Sequence, residues 1–135
     1  MTNQHHTSII SNRAELGSNV TIGPYCIIND NVKIGNNAIL KAHVYIDGNT
    51  FIGNNCTFYP YCSIGSSPQD LKYKGENSVL KIGNNNTFRE YVTVNPGTTG
   101  GGLETVIGNQ CLFMVSSHVA HDCKIGNNVI MVNNA

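Results

Sequence analysis

Large apolar side chains recur at every sixth position along most of this chain. Starting from Ile10, successive steps fall on Leu16, Ile22, Ile28, Ile34, Leu40, Ile46, Ile52, Phe58 and Ile64 without a miss. The beat resumes at Ile82, Phe88 and Val94, and again at Ile107, Phe113, Val119, Ile125 and Met131. A second regularity sits inside the hexad. The residue four after the anchor is mostly small or β-branched, as at Val20, Cys26, Val32, Ala38, Val44, Thr50, Val92, Cys111, Ser117 and Cys123. The residue directly after the anchor is often Gly, as at Gly17, Gly35, Gly53, Gly83 and Gly108, and Asn, Ser or Pro commonly follow.

A six-residue period does not fit an amphipathic helix, whose apolar face returns about every 3.6 residues. It fits a β-solenoid. The anchor-plus-four residue lies two before the next anchor, so both point inward because strand side chains alternate. Gly and Asn then fall at corners, where a positive φ is needed and a Cβ is costly. One hexad cannot bury its anchor alone, so coils must stack and share a core. The expectation is an all-β fold: one solenoid domain over residues 1–135.

All five cysteines, Cys26, Cys56, Cys62, Cys111 and Cys123, occupy the anchor-plus-four position. They read as small buried apolar groups. No CxxC pair occurs, which argues against a zinc knot or redox motif. Lys and Arg number 8 and so do Asp and Glu, giving zero net charge. That leaves no electrostatic footprint for nucleic acid or an anionic membrane. The N-terminal MTNQHHTSII has no basic region and no long apolar run. A secretory signal and a membrane span are therefore not expected, and the cytoplasm is the expected location.

The register breaks twice. Residues 66–81, SSPQDLKYKGENSVLK, lack the small-residue pattern and separate Ile64 from Ile82. Residues 95–106, NPGTTGGGLETV, carry three consecutive glycines and read as an irregular, mobile turn. That run lacks the strand-to-helix context and the Lys-Ser/Thr ending of a phosphate loop. Insertions in a rigid solenoid are places where function collects.

The one His/Asp cluster lies in 113–126, FMVSSHVAHDCKIG. His118 precedes anchor Val119 and should point out of the wall. His121 and Asp122 fall at the following corner. Three readings of these residues stand side by side. A plain surface pair needs nothing further. A general base needs an imidazole and an orienting carboxylate, which His121 and Asp122 supply by type. A catalytic zinc site needs a third ligand from another coil or subunit. His43, at a corner inside a regular hexad, reads as a turn residue.

Hexads of the form I-G-x-N-x-x resemble the left-handed parallel β-helix family, and the handedness comes from that resemblance. Two stretches are more specific. Gln69-Asp70-Leu71-Lys72-Tyr73-Lys74-Gly75-Glu76 and Ser117-His118-Val119-Ala120-His121-Asp122-Cys123 are similar to the UDP-N-acetylglucosamine acyltransferase family of lipid A biosynthesis. So is Phe88-Arg89-Glu90-Tyr91-Val92-Thr93-Val94 with the Pro-Gly-Thr and Gly run after it.

The resemblance implies transfer of an (R)-3-hydroxyacyl group from acyl carrier protein to the 3-hydroxyl of UDP-N-acetylglucosamine. It implies a homotrimer with sites between subunits, and no cofactor or metal. It makes His121 the general base, Asp122 its orienting partner and His118 a substrate contact. Gln69, Asp70 and Lys72 would hold the nucleotide sugar across a subunit boundary. Asn95 takes a substrate-contact position at which many relatives carry His. The resemblance also implies further coils and a helical domain after Ala135, with the oxyanion donor and carrier contacts there. Two alternatives remain open: a carbonic-anhydrase-like zinc enzyme and a non-catalytic solenoid used for assembly.

Overall fold

The structure is a computed structural model that describes residues 2–135. It is a left-handed parallel β-helix of three flat faces. The first face stacks Asn3–Gln4, Thr21–Ile22, Ile39–Leu40, Thr57–Phe58, Thr87–Phe88, Leu112–Phe113 and Ile130–Met131. The second stacks Ile9–Ile10, Ile27–Ile28, Tyr45–Ile46, Ser63–Ile64, Thr93–Val94 and His118–Val119. The third stacks Glu15–Leu16, Val32–Ile34, Asn49–Ile52, Val79–Ile82, Glu104–Ile107 and Lys124–Ile125. Every pairing is parallel and links one coil to the next.

The anchors fill the interior as the hexad pattern requires. Ile22, Ile28, Leu40, Ile46, Phe58, Ile64, Phe88, Val94, Phe113 and Val119 are all buried. Ile10, Leu16, Ile125 and Met131 in the end coils are only partly covered. Cys26, Cys56, Cys62 and Cys111 are buried free thiols, while Cys123 is half-buried. Burial pushes the Cys62 thiol up to about 12, in keeping with an inert packing group. Because coils repeat at strand spacing, like residues stack. The rings of Phe58, Phe88 and Phe113 lie 4.9 and 4.8 Å apart and nearly parallel. Asn86 breaks the small-apolar rule at anchor-plus-four. It is buried, its Nδ2 donates to Gly108 O and its Oδ1 accepts the Cys111 amide, both at 2.8 Å.

The corners divide the work expected of Gly and Asn. Between the third and first faces, Asn19, Asn37, Asn55, Asn85 and Asn128 carry the positive φ, near 60°. The glycines at this corner serve close approach instead. A Cβ on Gly53 would lie 2.3 Å from Asn84 Oδ1 and 2.7 Å from Gly83 O. That same Asn84 Oδ1 accepts the Asn54 amide at 2.7 Å, and the motif repeats from Asn36 to Asn127. Between the first and second faces, Tyr25, His43, Tyr61 and Tyr91 take the positive φ. Their exposed rings stack at 5.1, 5.0 and 5.2 Å. A left-handed non-Gly residue costs roughly 1–2 kcal/mol, and ring stacking returns a comparable amount, about 0.5–1.5 kcal/mol.

Both insertions leave the third corner, between the second and third faces. The pairing frame survives them: Thr57 pairs with Thr87 where the regular repeat would reach Gly75, and Thr87 pairs with Leu112 rather than Thr105. The wall resumes earlier than the register break suggested. Strand Val79–Ile82 already belongs to the third face, so the first excursion spans 66–78. Strand Glu104–Ile107 likewise ends the second at 103. The glycine run is not an irregular turn. It forms a 3-10 turn, Thr99–Gly101, closed by Gly101 and Leu103 amides donating to Thr98 O.

Two substitutions test this account. Gly53→Ala drives a methyl into the neighbouring corner and should cost about 1–3 kcal/mol in denaturant unfolding. Phe88→Ala empties the middle of the ring stack and should cost about 3–5 kcal/mol in the same measurement.

Candidate active site

Three successive coils deliver three different things to the same corner. The first brings the 66–78 loop, the second the 95–103 loop, and the third the short turn that holds His121 and Asp122. Residues from all three meet because coils stack one above another.

Asp122 is the centre of the arrangement. It takes a left-handed backbone, φ 65°, and its amide donates to Thr105 Oγ1 at 2.8 Å. One carboxylate oxygen accepts the Thr98 amide at 2.7 Å. The other accepts the Thr98 hydroxyl and lies 2.8 Å from His121 Nδ1. Burial opposes ionisation of Asp122, but Thr98 and His121 together hold its carboxyl below the usual carboxylate range. A Cβ on Gly101 would sit 1.9 Å from the Asp122 carboxyl carbon, which is why the second loop needs a glycine there.

A carboxylate can only accept, so His121 Nδ1 carries the hydrogen, and in the neutral ring the lone pair then lies on Nε2. The His121 side chain is 33% exposed and stands outside the prism, with anchor Val119 buried behind it. Its Nε2 faces Asp70 Oδ2 at 4.0 Å, across a gap too long for a direct hydrogen bond. Asp70 is 12% exposed and fixed by the Lys72 amide at 2.9 Å and Lys72 Nζ at 3.2 Å. Those Lys72 contacts, the amide first, keep its carboxyl below the ordinary value. One imidazole thus lies between two carboxylates of the same chain, with Asp122 hydrogen-bonded to Nδ1 and Asp70 facing Nε2 across the open gap.

The other expected residues are placed as follows. His118 points outward, half-buried, with Nδ1 2.8 Å from Thr93 Oγ1 of the coil beneath. Gln69 is exposed on the first loop beside Asp70. Lys72 is largely exposed at the edge of a cleft of about 450 Å³. That cleft runs between the loops and is lined by Asp70, Lys74, Glu76, Thr98 and Thr99 among others. Asn95 is different in character: it is 4% exposed, and its Nδ2 donates to Ser66 O at 3.1 Å, tying the first loop to the wall. Among the described residues, no three His, Cys, Asp or Glu side chains converge as a metal site would require.

Sequence reasoning did not find Thr93, Thr98 or Thr105. Thr93 was in principle accessible, since one coil below His118 lies Thr93 once the second insertion is subtracted. Thr98 carried no such signal, because loop residues have no register.

The bacterial transferase hexapeptide (six repeats) pattern matches residues 13–48 and 104–135. The acyl-[acyl-carrier-protein]–UDP-N-acetylglucosamine O-acyltransferase of Thermodesulfovibrio yellowstonii is 56% identical over 129 residues, 96% of this chain and 50% of that protein. The enzyme of the same name from Rickettsia canadensis is 57% identical over 122 residues, covering 90% of this chain and 46% of its own length. The chain therefore spans about half the length of the curated relatives it matches. Among solved structures, LpxA from Acinetobacter baumannii superposes with a TM-score of 0.95 at 46% identity, over 96% of this chain and 50% of that one. A UDP-N-acetylglucosamine acyltransferase crystal structure superposes at 0.96 and 45% identity, over 98% and 51%. With the hexad wall, its stacked Asn corners and the matched repeats at both ends of the chain all in agreement, this protein belongs to the bacterial transferase hexapeptide family.

Proposed function

We propose that the chain forms the β-helical part of an acyltransferase. The enzyme would move an (R)-3-hydroxyacyl group from acyl carrier protein to the 3-hydroxyl of UDP-N-acetylglucosamine. The observation that carries this reading is the His121–Asp122 pair aimed at Asp70 across an open gap. It occurs in a chain that is 56% identical to an enzyme named for that transfer.

The gap suits a sugar hydroxyl. The acceptor hydroxyl can sit about 2.8 Å from His121 Nε2, which leaves a neighbouring hydroxyl of the same sugar to face Asp70 Oδ2. The acceptor hydroxyl donates its proton to Nε2 as its oxygen attacks the thioester carbonyl. The C–O bond forms, the C–S bond then breaks, and the imidazolium returns the proton to the leaving thiolate. Asp122 holds the ring in the tautomer that keeps Nε2 free and stabilises the imidazolium once formed. Asp70 accepts from a neighbouring hydroxyl and so orients the sugar. Gln69, Lys72 and His118 provide further polar contacts around it. Lys72 and Lys74 give the cleft cationic groups of the kind a diphosphate requires. Asn95 contributes through the loop root it holds in place.

Further assignments follow from the same reading: a homotrimer with sites between subunits, acyl carrier protein as donor partner, and a cytoplasmic location. Among the described residues no helix is long and apolar enough to cross a membrane.

In the full-length protein, His121→Ala should lower kcat by about 10²–10⁴-fold, the usual contribution of a positioned base. Turnover within a few-fold of the parent would remove His121 from the mechanism. Dialysis against a strong chelator should leave the rate unchanged, and a loss restored by zinc would favour the metal alternative.

A further inference from the structure

Glu76 is the one carboxylate on the cleft wall that the reaction does not use. It belongs to the first loop, yet its partners lie in both. Its Oε2 accepts the Thr99 amide and the Thr99 hydroxyl, both at 3.0 Å. Its Oε1 accepts the Lys74 amide at 2.8 Å. Thr99 adjoins Thr98, which Asp122 holds by amide and hydroxyl. Lys74 lies in the same loop as Asp70, which faces His121. The contacts form a closed circuit: His121 to Asp122, to Thr98–Thr99, to Glu76, along the first loop to Asp70, and back across the gap to His121.

We propose that Glu76 is a positioning residue that clamps the two loops together, setting the width of the cleft and the placement of Asp70 opposite His121. Two features of the structure make a clamp necessary. Each loop is rooted in a rigid wall, but their tips rise from different coils, and no ladder hydrogen bond joins a tip to a tip. The second loop also contains Gly100, around whose Cβ position nothing lies within 4 Å, so the exposed tip itself has no packing partner there. A carboxylate accepting from two backbone amides and a hydroxyl is a strong and directional substitute for packing. The Thr99 amide, and next the Lys74 amide, hold the Glu76 carboxyl down to about 2. With its folded value below the ordinary one of about 4.3, the clamp is complete above that pH and is lost as pH falls towards 2. It is therefore constant across the working range of a cytoplasmic enzyme.

The role of the clamp in sugar binding rests on the acyltransferase reading; its role in holding the loops does not. The test uses Glu76→Ala and Glu76→Gln in the full-length protein, with two readouts. Amide hydrogen exchange should speed up by about tenfold or more at Thr99 and Lys74 in Glu76→Ala, the loss expected for a charged acceptor. Wall amides such as those of Gly83 and Gly108 should be unaffected. The KM for UDP-N-acetylglucosamine should rise by about tenfold while kcat stays within about twofold. Glu76→Gln should fall between, since one amide oxygen can keep one of the two ties. Unchanged exchange at Thr99, or a kcat loss with KM unchanged, overturns the proposal. If the parent protein shows no turnover with UDP-N-acetylglucosamine, the acyltransferase reading fails, and the exchange result still decides whether Glu76 clamps the loops.

Discussion

Everything in this fold depends on coils repeating at the spacing of hydrogen-bonded strands, about 4.8 Å. Identical corners can stack at that distance only if each one leaves room for the next. The Gly–Asn corner meets this condition in two ways. The missing Cβ of Gly53 makes space for Asn84 Oδ1, and that oxygen then accepts the Asn54 amide that the turn would otherwise leave unpaired. The following asparagine, Asn55, absorbs the left-handed backbone and receives a side-chain hydrogen bond from Asn37 of the coil before. Without this arrangement the anchors could not line up, because the chain would not turn tightly enough to return each one to the interior.

A wall of this kind can carry insertions at little cost to its order. The strands on either side of both loops keep their partners, and Phe58, Phe88 and Phe113 stack across the coils as though no chain had been added. The loops are thus free to differ in length and composition while their roots are fixed by hydrogen bonds to the neighbouring coils. That combination, rigid roots under polar tips, lets a site be assembled from residues far apart in sequence.

Asp122 shows how tightly wall, loop and chemistry are joined. Its backbone forms the corner, one carboxylate oxygen holds the second loop, and the other serves both Thr98 and His121. A residue with these three attachments has little freedom to reorient. His121 inherits that rigidity, which is what its proposed role as general base requires. The opposite side of the site is less firmly built. Asp70 reaches it from an exposed loop and relies on Lys72 and the Glu76 contacts for its position.

The hexad beat in the sequence determined the solenoid, its inward residues and the outward placement of His118 and His121. A period-six pattern has only one way to bury its anchors, so these features follow from local alternation and turn chemistry. Four of the five cysteines were legible for the same reason, Cys123 being only half-buried, as was His43, which the structure places at a corner with φ 52°. Asn86 was not, because nothing in the period announces a buried amide that bridges Gly108 and Cys111. The loop limits were misjudged where Val79–Ile82 and Glu104–Ile107 rejoin the wall ahead of their anchors. Only the tertiary structure decided that Asp70, Glu76, Thr98, His121 and Asp122 share one corner. Their meeting depends on how many residues each excursion adds between coils, and on hydrogen bonds between side chains that no local pattern encodes.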